Sequence, residues 1–455
     1  MKQYQKINNV LGWFTFLIAS AVYLMTAEPT ASWWDCGEYI ATAFKLQVGH
    51  PPGAPTFQLF GRIFTLFAFG DVTKVAFMVN AMSAIVSALT IMFLFWSITL
   101  LGRKLVLASN TEMTTAKMAA IFGSGFVGAL AYTFSDSFWF SAVEGEVYAM
   151  SSFFTALVFW VILKWESVAE EKHSFRWIVL ISFLIGISIG VHLLNLLAIP
   201  AIVFVYYFKN YTTSRNKSLI AFLIAFVMLA VILWGIIPLI VYFAGKFELA
   251  FVNDIGLPFN TGTIFYFVLL IVGIIWGIRY TIKKKKIVIN TILVALVFIL
   301  VGYSSFFILI IRANANTPIN ENNPRDAVGL LSYLNREQYG ENPLVYGQYY
   351  NAKPTGTKEG STKYIKGKDK YESVGANLSY TYDAKESTIF PRMYSSDESR
   401  QHPAMYKVWT GIKGERIPTF GENLKFFFRY QLGHMYFRYF MWNFAGRQND
   451  IQGHG

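Results

Sequence analysis

Apolar residues in this chain gather into long runs rather than the one-sided stripes of soluble helices. Nine segments read as membrane spans: 9–26, 75–101, 117–134, 148–164, 177–192, 194–208, 218–244, 263–281 and 287–311. A run of about 20 apolar residues crosses the hydrocarbon core as one helix. The stretch from Trp177 to Phe208 is too long for one crossing, so it is divided at Gly190-Val191-His192. The pattern predicts an all-α polytopic membrane protein, with a bundle of about nine transmembrane helices over 1–311.

The region 312–455 has a different texture and is expected to be an extracytoplasmic domain of mixed or irregular structure. Lys353 to Glu398 is rich in Lys, Gly, Ser, Tyr and Asp and holds no apolar run. Asn323-Pro324, then Ala327 to Gln338 and Gly340, predicts a capped helix. Residues 423–444 are dense in aromatics interspersed with Lys425, Arg429, His434 and Arg438, which suits a helix lying on the membrane surface. No internal repeat is visible. The end at Gln452-Gly453-His454-Gly455 carries no obvious terminator, as expected of the front part of a longer protein.

Composition agrees with a membrane protein. Hydrophobic residues make up 54% of 455 and charged residues only 15%, against about a quarter charged in soluble domains. The net charge of +12 does not point to nucleic acid, because much of it sits in short patches between spans. Lys2, Lys6, Arg103, Lys104, Lys117, Lys164, Lys172, Arg176, Lys209, Arg215, Lys217, Arg279 and Lys283 to Lys286 all fall on one side if the division at 190–192 holds. The opposite loops carry only Lys45, Arg62, Lys74 and Lys246. That asymmetry puts the N-terminus in the cytoplasm and the C-terminal region outside. Cys36 is the only cysteine, so no internal disulfide can form and the redox compartment is not readable. There is no phosphate-binding Gly-Lys-Ser/Thr loop, no paired-cysteine motif and no His-Glu-x-x-His.

The candidate chemistry sits in the outer loops, first of all in 27–74. Ser32 to Lys45 reads as a short helix. Ser32-x-x-Asp35 fits a capping box, with Asp35 in the first turn, and Trp33 and Trp34 fit interface anchors. Asp35 and Glu38 are also three residues apart, hence on one helical face. Such a pair next to hydrocarbon can act as a general base or hold Mg²⁺ or Mn²⁺, although nothing in the pattern requires a metal. His50-Pro51-Pro52-Gly53 pins a turn. The helix expected over Thr56 to Ala68 sets Phe57, Phe60, Phe64 and Phe67 at helical spacing.

The other outer loops add acids and a few cations. Asp136, Glu144 and Glu146 occupy one short loop ahead of Tyr148. They either complement the start of the next span or face the first loop and complete an acidic site. His192 and Asn195 mark a polar tip between the fifth and sixth spans. Arg312 ends the ninth span, either snorkelling to the surface or poised to bind a phosphate bidentately.

Trp33-Trp34-Asp35-Cys36-Gly37-Glu38-Tyr39 with Gly49-His50-Pro51-Pro52-Gly53 resembles the signature of a large bacterial membrane family, common in Bacteroidetes-type bacteria and long without an assigned function. Its vertebrate relatives are protein O-mannosyltransferases that act on extracellular plexin-type domains. Val143 to Tyr148, Pro318 to Asn322 and Trp442 to Gln448 are collinear weaker resemblances. The resemblance implies a GT-C glycosyltransferase in the bacterial inner membrane, with its active site on the periplasmic face. It implies a polyprenyl-phosphate sugar donor, an exported protein acceptor and no required cofactor. Asp35 matches the acidic catalytic position, and Glu38 is the second candidate. Trp34, His50, Glu144, Glu146, Tyr148, His192 and Arg312 are then the expected substrate- and donor-binding residues. A lipid or polysaccharide acceptor, or a transporter of lipid-linked sugar, are the alternatives. The clustering of ionisable residues at outer span ends, rather than mid-span, favours surface chemistry over passage.

Overall fold

The computed structural model describes residues 2–108, 112–340 and 342–445. Residues 446–448, part of the last resembling segment, and the terminal 452–455 lie outside the described residues. The chain forms two compact units, Met1–Arg336 and Glu337–Gly455.

The first unit is helical. In chain order it comprises α1 (Lys2–Met25), α2 (Cys36–Lys45), α3 (Pro55–Thr65), α4 (Val75–Ala108), α5 (Thr115–Thr133), α6 (Asp136–Ala142), α7 (Val147–Ser167) and α8 (Phe175–Ile189). There follow α9 (Ile199–Asn210), α10 (Arg215–Ala230), α11 (Ile237–Leu249), α12 (Thr261–Lys283), α13 (Ile287–Tyr303), α14 (Phe307–Asn314) and α15 (Ala327–Leu334). Seven helical stretches among the described residues are long and apolar enough to cross a membrane, and the bent pair α5–α6 makes up to eight. The protein is therefore a multi-pass helical membrane protein. The expected fifth span is α8, an apolar helix of only 15 residues. It ends where the sequence predicts a break: Gly190, Val191 and His192 form a turn, and the chain restarts as a 3-10 turn, Leu193–Ala198.

The outward faces of α10, α12 and α13 expose Leu223, Val227, Val268, Ile271, Ile275 and Ile292. An apolar surface of that extent belongs against lipid rather than water. Between α10 and α11 the helix widens into a π turn, Val231–Ile236. Pro238, at the start of α11, has no N–H to donate to the preceding turn, and the wider turn accommodates the missing bond. Inside the bundle, Val158, Ile162, Ile185, Ile189, Leu196 and Leu309 form one buried cluster, and Tyr39, Phe57, Val79, Met82, Met150 and Val191 form another that packs the 27–74 loop onto α4 and α7.

Two boundaries differ from expectation. Residues 312–336 pack within the first unit rather than with the C-terminal region, because 319–321 pairs with 47–48 and α15 packs on α11. The capped helix starts at Ala327 as expected, with Asp326 accepting from the Gly329 N–H, but it ends at Leu334, and Glu337–Tyr339 is a separate 3-10 turn.

The second unit is mixed. β1 (Tyr346–Gln348) pairs with β4 (Ser387–Ile389), and β2 (Pro354–Lys366) pairs with β3 (Tyr371–Tyr382) as an exposed, bulged hairpin. The helices α16 (His402–Thr410), α17 (Phe420–Phe426) and α18 (Arg438–Met441) follow, the last two joined by a π-helical stretch, Phe427–Phe437. The helical run expected over 423–444 thus spans Phe420 to Met441. A small core of Tyr350, Met393, Tyr406, Ile412 and Phe426 holds this unit together.

Candidate active site

The chain leaves α1 at Met25 and must turn before it can start α2. Trp34 makes that turn with a left-handed backbone, φ +61°. Helix α2 therefore begins at Cys36, and Asp35 stands at its N-cap position without a side-chain capping bond. The capping box expected from Ser32-x-x-Asp35 does not form. Ser32 instead hydrogen-bonds the Glu144 carboxylate, so Asp35 keeps its carboxylate out of helix capping.

Three side chains then converge. The backbone N–H of His50 donates to Glu38 Oε1 at 2.6 Å, and His50 Nδ1 lies 3.1 Å from both Glu38 oxygens. A carboxylate only accepts, so Nδ1 carries a proton and Nε2 is turned the other way. Nε2 lies 3.9 Å from Asp35 Oδ2. The result is a carboxylate–imidazole–carboxylate row in which Glu38 and His50 are largely covered, 25% and 22% exposed, while Asp35 is 59% exposed. The hydrogen bond to Glu38 raises the pKa of His50 against the opposing effect of burial, and the charges of Glu38, Asp35 and Glu321 add to it. Burial pushes Glu38 up, but the bonds and charge of His50 outweigh it and leave Glu38 below its ordinary value.

The backbone around this row is held from several sides. Gly53 closes the turn with φ +75°, its N–H donating to the His50 carbonyl at 2.9 Å. Buried Tyr333 on α15 donates its hydroxyl to the Gly49 carbonyl at 2.6 Å. A Cβ at Gly49 would collide with Glu38 Oε1, so only glycine lets the loop lie against that carboxylate. Thr56 donates from its backbone to the Gly190 carbonyl at 2.8 Å, which ties α3 to the break after α8. Arg312 donates to the carbonyls of Lys45 and Leu46 at the end of α2.

The second acidic loop faces the first. The Glu28 N–H donates to the Val143 carbonyl at 3.0 Å, and buried Asn80 on α4 donates to the carbonyls of Glu28 and Thr30. This loop both lies against the first one and caps the start of α7. Glu146 accepts from the Val147 N–H at the start of α7, and it also lies close enough to Asp35 and His50 to feel their charge. Burial, with Glu144 and Asp35 beside it, pushes Glu146 up to about 7, with the Val147 bond opposing. Burial raises Glu144 as well, against the bonds from Ser32 and Cys36. Cys36 does more than fill a small space: burial and the neighbouring glutamates push its thiol up, and it hydrogen-bonds Glu144.

The remaining expected residues border this cluster. Tyr148 is exposed at the start of α7, within electrostatic reach of Asp35 and Glu146, and its ring lies 5.5 Å from that of His192. His192 Nδ1 accepts from the Leu194 N–H, and burial, helped by Arg336, lowers its pKa. Trp34 is 90% exposed at the turn. Sequence reasoning missed Glu321. Its N–H donates to the Val48 carbonyl, and burial together with Glu38 and Asp35 raises its carboxyl, with His50 opposing. The only available sign was its place in the Pro318 to Asn322 segment. Among the described residues no group of three or more His, Cys, Asp or Glu side chains is arranged to hold a metal ion.

Residues 35–215, which contain this row and both acidic loops, match the family model of the protein O-mannosyl-transferase TMEM260 N-terminal domain. Residues 340–428 match a family of unknown function (DUF8416). The chain is 28% identical over 143 residues to protein O-mannosyl-transferase tmem260 of Dictyostelium discoideum, covering 31% of this chain and 15% of that protein. It is 26% identical over 175 residues to protein O-mannosyl-transferase TMEM260 of Mus musculus, covering 38% of this chain and 22% of that protein. The matches thus span less than a quarter of the length of either curated relative. No solved structure matches. The chain is related to the vertebrate protein O-mannosyltransferases.

Proposed function

We propose that this relative of the protein O-mannosyl-transferases is a GT-C-type membrane glycosyltransferase. It moves a hexose such as mannose from a polyprenyl-phosphate donor to Ser/Thr hydroxyls of exported proteins, at the periplasmic face of a bacterial inner membrane. The observation that carries this reading is the Asp35–His50–Glu38 row inside the matched segment.

In the proposed step Asp35, the exposed member, takes the proton of the acceptor hydroxyl. The acceptor oxygen bonds to C1 of the sugar while the bond from C1 to the phosphate oxygen breaks, and the electron pair leaves with the polyprenyl phosphate. Displacement is direct and inverts C1. A positioned base contributes about 10²–10⁴-fold. Glu38 is a positioning residue: it fixes the tautomer of His50 and supports its positive charge. His50, with Arg312, offsets charge developing on the leaving phosphate, and His192, whose Nδ1 accepts from the Leu194 N–H, offers it the Nε2 proton. Glu144, Glu146 and Tyr148 hold sugar or acceptor hydroxyls, and Trp34 anchors the loop at the interface. The step as written draws on no cofactor.

An apolar cavity of about 450 Å³ between α11, α12, α13 and α15 supports a lipid-linked donor. Val241, Phe267, Ile274, Phe307 and Leu330 line it. Tyr333, one turn beyond Leu330 on α15, reaches the Gly49 carbonyl beside the acidic row. The test is transfer by purified protein from polyprenyl-phosphate mannose to a folded protein acceptor, to a lipid and to a polysaccharide. Mannosylated Ser/Thr on the protein is the expected product. Transfer to lipid or polysaccharide alone, or transbilayer movement of the donor without transfer, refutes the assignment.

A further inference from the structure

At the ends of α1, α4 and α7 remote from the acidic loops lies a second cavity, of about 480 Å³, which sugar transfer does not use. It opens between the N-terminal half of α1, the C-terminal ends of α4 and α7 and the start of α8. Its volume falls in the usual range of ligand sites, about 300–1,000 Å³. Arg103 and Lys164 line it, within electrostatic reach of each other, and no carboxylate does. The neighbouring acid, Glu166, pairs with Lys104. Among the described residues Lys164 has no carboxylate partner; its ammonium sits over the Trp160 ring at 5.4 Å.

Two further features point to the ligand. Trp160 stacks at a tilt beside Trp96, ring centroids 5.5 Å apart, and Trp13 and Trp177 also line the cavity. Tryptophans in this number mark the depth of lipid headgroups. Trp96 Nε1 donates to the Asn8 carbonyl at 3.1 Å, which fixes Asn8 at the cavity wall. The side-chain oxygen of Asn8 is buried and, among the described residues, accepts no hydrogen bond. A buried acceptor left empty is costly, and a ligand hydroxyl would satisfy it.

We propose that this cavity binds the headgroup of an anionic phospholipid that carries a hydroxyl, of the phosphatidylglycerol type, from the leaflet at the N-terminal end of α1. Its phosphate lies between Arg103 and Lys164, as in basic pockets between membrane helices that hold lipid headgroups. Its headgroup hydroxyl donates to Asn8 Oδ1. The inference is independent of the sugar-transfer reading.

Native mass spectrometry of the full chain in neutral detergent tests it, with phosphatidylglycerol, phosphatidylcholine, phosphatidylmethanol (the phosphate without headgroup hydroxyls) and inorganic phosphate as separate probes. One phosphatidylglycerol is retained in preference to the other two lipids, and equimolar inorganic phosphate does not displace it. Lys164→Gln weakens retention about fivefold, the worth of one cation near the membrane surface, and Lys164→Arg restores it. Asn8→Leu, which keeps both cations, abolishes the preference for phosphatidylglycerol over phosphatidylmethanol and carries the test if Lys164→Gln does not fold. Equal retention of phosphatidylcholine, displacement by inorganic phosphate, or retention unchanged in Lys164→Gln or in a folded Asn8→Leu overturns the proposal.

Discussion

Glu146→Gln should stabilise the protein increasingly as pH rises from about 4.5 to 7, hold that gain above 7, and leave stability unchanged below 4.5. In the folded chain Glu146 is lifted from an ordinary value of 4.5 to about 7, chiefly by burial. A carboxyl raised on folding binds more protons in the folded than in the unfolded state between those two values. Its stabilising effect is complete below pH 4.5 and is lost as pH rises through 7. At about 1.36 kcal/mol per pH unit, the rise corresponds to about 3 kcal/mol. Glutamine is uncharged at every pH, and its oxygen can still accept from the Val147 N–H that Glu146 now engages at 3.3 Å. The gain at pH 8 is then on the order of 5 °C in the midpoint of thermal unfolding. The assay is thermal unfolding of both proteins in one detergent from pH 4.5 to 8.5. A difference that does not change with pH, or a variant less stable than the parent at pH 8, would show that Glu146 is not ionised against its surroundings.

Further outcomes follow from the same geometry. Glu38→Gln removes the carboxylate that raises His50, so the His50 titration followed by NMR should shift to lower pH; an unmoved midpoint would sever the two. The parent gains stability below the ordinary histidine value and loses it as pH rises through the raised one, and this variant should lose most of that gain. Gly49→Ala places a methyl against Glu38 and should lower transfer about 10²-fold with normal membrane levels, because displacement of about 1 Å costs that much; wild-type turnover would show that the row tolerates displacement. In the second unit, Asn423 is fully buried, accepts from the N–H groups of Arg392 and Met393 and donates to the Phe390 carbonyl. Asn423→Ala should destabilise that unit by about 3 kcal/mol, read as early proteolysis or local hydrogen exchange at 390–393.

Much of the bundle was legible because spans are local. Gly190-Val191-His192 divides α8 from the next helix by its own composition, and the helical range 420–441 follows from its run of aromatics. The β2–β3 hairpin was not legible, since both of its faces are exposed and its polar strands show no alternation. The acidic row was legible in part. Spacing put Asp35 and Glu38 on one face, but the same spacing suggested a capping box that the left-handed Trp34 prevents. What brings Glu28 to Val143, or Glu321 to Val48, is pairing between residues far apart in the chain, which leaves no mark in either segment alone.

In the proposed step Asp35 takes the acceptor proton. The most direct measurement is the rate of mannose transfer from polyprenyl-phosphate mannose to a Ser/Thr acceptor by Asp35→Asn and parent protein at equal membrane levels. Asparagine keeps the shape, and Asp35 makes no capping bond whose loss could unfold α2. Normal expression with transfer reduced about 10²–10⁴-fold is the expected result. A normally expressed variant with full transfer would contradict it.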